Sequence, residues 1–431
     1  MKHPSIPPAF GRNAADGAVA NAVLEPQSPA FARDPYSAYA ALRAEPGPRY
    51  HAAMDTWLLS RHAEVDAAAR DPRLVRGMET FLTAEEIAAR RRAIGWHDMP
   101  NHERYVQTNL LESDGATHRR LRLKVLGEFT RSRVARQRPM IERYVDGLLD
   151  ALPGRPSETR EFDFIADLAA HVPGHVIGTV LGAPDADCPQ LRVWSESVVQ
   201  FFDVGRTAAD KARAEQATTE FGVYLQDLIR ERRRQPRDDL LSTLIRAQRA
   251  GELDETELIA TCMLILMAGH GSTIDVLGTG LLALLEHPQQ LQRLRDDPGL
   301  IHTAVQEMFR YESPLPYFHR YASETVQLHG REFPAGTRFG LLYGAANRDP
   351  AAFPEPDRFD VGRSPNRHLA FGRGAHLCLG NQLARLDMEV IFGALLARTR
   401  SVALMTAARP AYRPGLSTRG LLALPVRLTP A

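Results

Sequence analysis

The chain has 431 residues, of which 44% are apolar and 24% charged, and its net charge is +1. That is a globular composition. It allows one large core able to enclose a cofactor and gives no global electrostatic reason to bind nucleic acid. The three cysteines, Cys188, Cys262 and Cys378, are too widely spaced for a disulfide framework or a zinc pattern, which suits a reducing compartment.

Residues 1–25 are rich in Pro, Ala and Gly, lack a continuous apolar leader segment and read as a loose arm. Residues 26–431 read as a single domain. The most apolar stretch, Leu258 to Ala268, is too short to span a bilayer, so a cytoplasmic protein without membrane contact is expected.

Pro35 to Glu45 and Ser60 to Ala69 have the spacing of short amphipathic helices, with a hairpin between them over Pro48 to Leu59. Longer amphipathic helices are predicted over Arg131 to Leu152 and Ala208 to Arg234; the arginines from Arg230 to Arg234 form a solvated helix end. From Asp254 to Glu286 one long helix is predicted. Asp254 and Glu257 form its capping box and His287-Pro288 its stop. At the α-helical rise it would be about 50 Å long. It is apolar on nearly all sides through Leu264 to Ala268 and therefore internal. Gly269, Gly271, Gly278 and Gly280 each cost such a helix about 1 kcal/mol relative to alanine, which points to a kink or a close-approaching ligand.

Beyond Pro314, Val326 to Leu328 and Arg338 to Leu342 read as a hairpin turning at Pro334-Ala335-Gly336. An irregular stretch runs from Pro350 to Pro365, a helix from near Gly380 past Leu395, and the tail, ending Leu422 to Leu428, reads as another strand pair. The balance is mainly α with a smaller β portion.

The sharpest chemical feature is Phe371-Gly372-Arg373-Gly374-Ala375-His376-Leu377-Cys378-Leu379-Gly380, followed by Asn381-Gln382-Leu383-Ala384-Arg385. Taken alone, Cys378 could be an inert buried thiol or a nucleophile with His376 as its base. A haem-ligating cysteine must be a thiolate. It needs backbone N–H donors around it and a tight loop, which glycines at 372, 374 and 380 permit. A helix starting at Gly380 would turn its positive end toward the sulfur, and Phe371 could shield it from water.

The whole string resembles the haem-binding loop of cytochromes P450, and the resemblance extends over nearly the whole chain. It implies the mainly α (α+β) P450 fold, with haem b ligated by Cys378 and buried between the central helix and the cysteine loop. Glu307-Met308-Phe309-Arg310 is similar to the family's E-x-x-R helix. Pro356-Asp357-Arg358-Phe359 is similar to the segment whose arginine completes that ion network. His118, Arg122, Arg320 and His368 correspond to the residues that hold the haem propionates. Phe371, Gly372, His376, Gly380, Ala268 and Gly269 are placed against the haem. The stretch Asp114-Gly115-Ala116-Thr117 departs from the usual Asp-Pro-Pro-Glu.

A second departure lies in Ala268-Gly269-His270-Gly271-Ser272-Thr273. Gly271 and Ser272 stand where the family has an acid and then a threonine that deliver protons during oxygen activation. Ser272 and Thr273 keep hydroxyls; His270 or Asp275 could relay through water. The resemblance therefore implies a monooxygenase that oxidises a hydrophobic small molecule. The alternatives are an atypical member that couples or cyclises its substrate or runs on peroxide, a nitric-oxide reductase, and a haem-binding sensor or carrier without turnover.

Family correspondence places the pocket on the 78–110 segment, the 198–204 segment, and the central helix at Met263, Met267, Ala268 and Ser272. The stretches from Leu315 to Phe318 and Leu416 to Thr418 complete it. Phe201, Tyr317, Phe318, Leu315, Leu416 and Ser417 would line it. With no reductase module in the chain, electrons would come from a separate ferredoxin and its ferredoxin reductase. The ferredoxin would dock near Arg119, Lys124 and Arg373 on a monomeric enzyme.

Overall fold

A computed structural model of the chain describes residues 24–93, 97–155, 157–202 and 207–431. The expected N-terminal arm lies outside the described residues up to position 23. Leu24 itself is 1% exposed, and its carbonyl lies 2.9 Å from His51 Nε2, so this residue of the expected arm is packed.

In chain order the elements that position the site are α1 (Tyr36–Arg43), β1 (Arg49–His51), β2 (Thr56–Leu59), α2 (His62–Arg70), β3 (Leu74–Val75), α3 (Gly115–Leu126), α4 (Arg138–Ala151) and β4 (Arg160–Asp163). There follow α5 (Val172–Leu181), α6 (Cys188–Gln200), α7 (Ala208–Arg234), α8 (Glu255–Ala268), α9 (Gly271–Glu286) and α10 (Ile301–Tyr311). The chain closes with β5 (Phe318–Ala322), β6 (Val326–Leu328), β7 (Arg331–Phe333), β8 (Arg338–Leu341), α11 (Asn381–Ala397), β9 (Thr399–Leu404) and β10 (Pro425–Pro430). Helices dominate, and one apolar cluster joins α3 to α11. A five-stranded sheet in the order β1-β2-β8-β5-β3 covers one flank, with β2 and β8 parallel.

Local chemistry explains the helix ends. Thr207 and Asp210 close a reciprocal capping box on α7, as Asp254 and Glu257 do on α8. The helix expected over Asp254 to Glu286 breaks at Gly269-His270. A Cβ at Gly269 would lie 2.5 Å from the Ile177 side chain, so only glycine lets α5 pack this closely. The His270 ring turns back so that Nδ1 lies 3.1 Å from the Leu266 carbonyl, one of the acceptors at the interrupted end of α8. Glu255–Glu286 is apolar and long enough to cross a membrane by composition, yet it is mostly buried inside the protein.

Two other expectations are corrected. Arg131 to Leu152 divides into Arg131–Ala135 and α4, with Pro139 in the first turn of α4. β6 pairs with β7, not with β8, because His329 (φ 50°) and Gly330 (φ 71°) make a two-residue turn that closes the hairpin early. β8 instead joins the five-stranded sheet between β2 and β5. The tail forms the expected strand pair, β9 with β10, and β10 also pairs with β4.

Candidate haem site

The loop before α11 is shaped by its own backbone. Gly372 and Gly374 have φ of 68° and 71°, the left-handed region that glycine enters freely. A Cβ at Gly374 would lie 2.4 Å from the Ala69 carbonyl, so the loop can rest on α2 only with glycine there. Phe371 O accepts from the Cys378 N–H at 2.9 Å, which closes the loop and presents the sulfur at the foot of α11. Burial pushes the Cys378 thiol up from its usual value, while the Gly380 N–H and the Arg122 and Arg385 cations pull it down. Phe371 packs on Phe309 with ring centroids 4.5 Å apart and under Arg385, also at 4.5 Å, which fits a water-excluding role. Cys378 remains accessible at the foot of α11.

A second accessible patch interrupts the buried central helices. Ala268 is exposed beside the buried Met267 and Leu266, and Gly269, Gly271 and Ser272 are half-buried. Ala268 and Ser272 are four residues apart across the break. A Cβ at Gly271 would meet no atom within 4 Å. Thr273 is buried, and Asp275 is committed to an ion pair with Arg413. Of the two expected hydroxyls, Ser272 belongs to the accessible patch and Thr273 does not.

Cations gather around the loop. Arg122 Nη2 donates to the Leu377 carbonyl at 2.6 Å. Arg320 is 3% exposed, donates to the His319 carbonyl and has no ion pair among the described residues. His118 packs at a tilt against His376, with ring centroids 4.4 Å apart, and its buried Nε2 has no partner among the described residues. Burial, then His376 and Arg122, lower the His118 pKa to about 4, so the ring is neutral at pH 7. A buried cation without an anion is costly. Arg320 and the orphaned His118 nitrogen thus suit the carboxylates of a bound group. The residues present fit haem: an accessible thiol, the buried Arg320 without an ion pair and the unpartnered His118 nitrogen.

His368 is buried beside the loop, with Nε2 3.0 Å from Gln306 Oε1 and Nδ1 accepting from the Ala370 N–H. Arg358 is corrected. Its guanidinium pairs with the exposed Glu355, and only its carbonyl reaches the buried network. Arg310 grips Glu307 through two bonds of 2.7 and 2.8 Å. Arg363 supplies the third member, with Nε 3.1 Å from both Glu307 oxygens.

Sequence reasoning also passed over Asp114 as a site residue. Its carboxylate takes the N–H groups of Arg76 and Gly77, each at 2.7 Å, and lies 3.0 Å from His376 Nε2. Burial opposes its charge, but His376 and the two N–H groups outweigh this and hold its pKa below the usual carboxylate value. Asp114 thereby ties the segment before α3 to the cysteine loop.

Among expected pocket residues, Met263 and Met267 are buried in the central helix, Leu315 is half-buried, and Phe318 lies half-buried under Arg76. Phe201 packs edge-on to His102 at 5.1 Å, and Ser417 Oγ reaches the Phe202 carbonyl at 3.5 Å. Positions 203 and 204 lie outside the described residues. Tyr317 and Leu416 belong instead to a separate cluster with Leu24, Tyr39, Leu58 and Leu342, because residue 317 turns its ring against Gly340. Of the expected docking cations, Arg119 is exposed, Lys124 pairs with Glu252 at 2.8 Å, and Arg373 lies 3.4 Å from Asp66.

The cytochrome P450 family model matches residues 78–298 and 299–410. The cytochrome P450 monooxygenase PikC of Streptomyces venezuelae is 38% identical over 408 residues, covering 92% of each chain. The vitamin D(3) 25-hydroxylase of Pseudonocardia autotrophica is 37% identical, over 93% of this chain and 95% of its own. The crystal structure of P450BioI, in complex with an acyl carrier protein carrying hexadec-9Z-enoic acid, superposes with a TM-score of 0.84. It shares 34% identity, over 93% of this chain and 99% of that one. Fold and site thus define a haem oxidoreductase that uses dioxygen. The chain belongs to the cytochrome P450 family.

Proposed function

We propose that this chain is a monooxygenase that inserts one oxygen atom into a C–H bond of an extended hydrophobic molecule, using haem b held by Cys378. The observation that carries this reading is the accessible Cys378 at the foot of α11 in a chain that also holds the buried Arg320 without an ion pair among the described residues and an accessible patch at Ala268 and Ser272. When bound, haem supplies the redox-active iron at which dioxygen is reduced.

Everything else falls to the chain. Cys378 provides the ligand, and the Gly380 N–H and Arg122 favour its thiolate. Arg320, Arg122 and His118 would hold the two carboxylates of the cofactor. Phe371 and Phe309 keep water from the sulfur. Ser272 offers the one hydroxyl of the expected pair that lies on the accessible patch, where it can hand on protons. The stoichiometry is one dioxygen, two protons and two electrons per hydroxylated product and one water. A separate ferredoxin, reduced by its reductase, would deliver those electrons singly.

The apolar lining at Met263, Met267, Phe201 and Phe318 suits a long aliphatic or polycyclic substrate. The vitamin D(3) and hexadecenoic acid in the names of the two relatives are of that kind. The test supplies the purified enzyme with ferredoxin, reductase and reductant. It then compares free long-chain fatty acids, the same acyl groups on a carrier protein, sterols and macrolides. Substrate-dependent reductant use with one oxygen gained supports the reading; dioxygen consumed without any oxidised product across the panel overturns it.

Gly271 favours a second reading, in which the enzyme runs better on peroxide than on dioxygen because no acid stands beside Ser272. Product formed with peroxide but not with the ferredoxin system would select it.

A further inference from the structure

We propose that His175, Asp185 and Cys188 form a binding site for a zinc-like divalent cation at the corner where α5 meets α6. One ligand atom from each residue lies within 4.8 Å of the other two. His175 Nδ1 and Asp185 Oδ1 are already 3.5 Å apart. Around tetrahedral zinc, with N and O ligands near 2.0–2.2 Å and sulfur near 2.3 Å, such atoms stand roughly 3.3–3.7 Å from one another. The corner therefore needs to close by no more than about 1 Å.

Three features hold the ligands in place. His175 lies on α5, and Tyr144 stacks flat on its ring, 3.7 Å away with planes 6° apart, which fixes the imidazole. Cys188 is the first residue of α6, and its sulfur sits so near α5 that a Cβ on Gly178 would lie 2.8 Å from it. Asp185 precedes Cys188 by three residues in a single tight turn, and its carboxylate is 73% exposed, which leaves the site open to ions from solvent.

The local charge points the same way. Asp185 and Asp187 both face the sulfur, and neither pairs with a lysine or arginine among the described residues. Among the described residues, the Asp187 carboxylate is engaged only by the Tyr224 hydroxyl, at 2.8 Å. One sulfur, one imidazole nitrogen and one carboxylate suit zinc or cobalt and disfavour magnesium or calcium. A fourth position remains for water. Burial, with Asp185 and Asp187, pushes the Cys188 thiol up to about 11. Binding therefore forms the metal–sulfur bond and releases the thiol proton to buffer. The site shares no residue with the haem site. It would clamp the start of α6, whose other end carries Phe201.

The test titrates the haem-loaded, metal-stripped full chain with cobalt chloride and then displaces cobalt with zinc. Haem occupies Cys378 in this form. The expected result is one cobalt per chain with a thiolate-to-cobalt charge-transfer band. The band should be abolished in Cys188→Ser and kept in Cys262→Ala. Because Asp185 is mostly exposed, Asp185→Asn leaves the fold intact, and it should weaken cobalt binding by about tenfold or more, as loss of a metal-site partner does. Absence of a thiolate band in the wild-type chain overturns the proposal. So does an unchanged affinity in Asp185→Asn, or a band that survives in folded Cys188→Ser.

Discussion

The Nε of Arg363 lies 3.1 Å from both carboxylate oxygens of Glu307, a residue with no exposed side-chain surface. Arg310 still holds Glu307 when Arg363 is removed, so the loss is that of buried hydrogen bonds to a charged group, about 1.5–3 kcal/mol. Arg363→Ala should therefore lower the denaturation midpoint strongly. Arg358→Ala removes only the exposed pair with Glu355 and should change stability by about 0–1 kcal/mol. Chemical denaturation of the two variants side by side checks the assignment, and equal losses would refute it.

Acid should destabilise the haem-free chain through two buried imidazoles. Burial, then neighbouring cations, lower the His118 pKa to about 4 and the His368 pKa to about 3. The unfolded chain binds these protons from about pH 6.5 downward. Between that pH and the native values the unfolded state holds more protons, so stability falls as pH falls. Thermal melts from pH 7.5 to 4.5 should show the decline, and His118→Asn should flatten it.

Asp387 is buried in α11, and its Oδ1 has no partner among the described residues. Burial alone raises its pKa well above the usual carboxylate value. Because the native carboxyl is the one that prefers its proton, it costs stability as pH rises above about 4. Asp387→Leu should stabilise the protein at pH 8 by about 1–3 kcal/mol, with a smaller gain at pH 5. A lower melting temperature at both pH values would contradict this.

Gly271 opens α9, and a Cβ there meets nothing within 4 Å. An acid at that position fits sterically and suits the positive end of a helix, a gain of about 0.3–1 kcal/mol. Gly271→Asp should restore a proton donor beside Ser272. The fraction of reductant electrons recovered in product should rise, and peroxide released without product should fall. No change in that ratio would mean that another group already supplies the protons.

Legibility in the sequence tracked locality. The Phe371–Gly380 loop was readable because its ligand, its two left-handed glycines and the start of its helix are contiguous. The glycines of the central helix announced the break at Gly269, but not the capping of Leu266 by the His270 ring. Arg363 escaped notice because two arginines lie five residues apart in an irregular, proline-rich stretch. Only the path of that stretch decides which one reaches Glu307. Tyr317 and Phe318 are adjacent in sequence yet sit in different apolar clusters, so no spacing rule could assign one and not the other to the pocket. His368 matched a motif, and its two ring partners, Gln306 and Ala370, become visible only in three dimensions.

The most direct test of the central claim is the absorption spectrum of the purified chain after haem loading, compared across Cys378→Ala, Cys262→Ala and Cys188→Ala. The account predicts one haem per chain with a thiolate-type spectrum in the wild type. Cys378→Ala alone should lose that spectrum. A chain that binds no haem, or a thiolate spectrum that persists in Cys378→Ala, would contradict it.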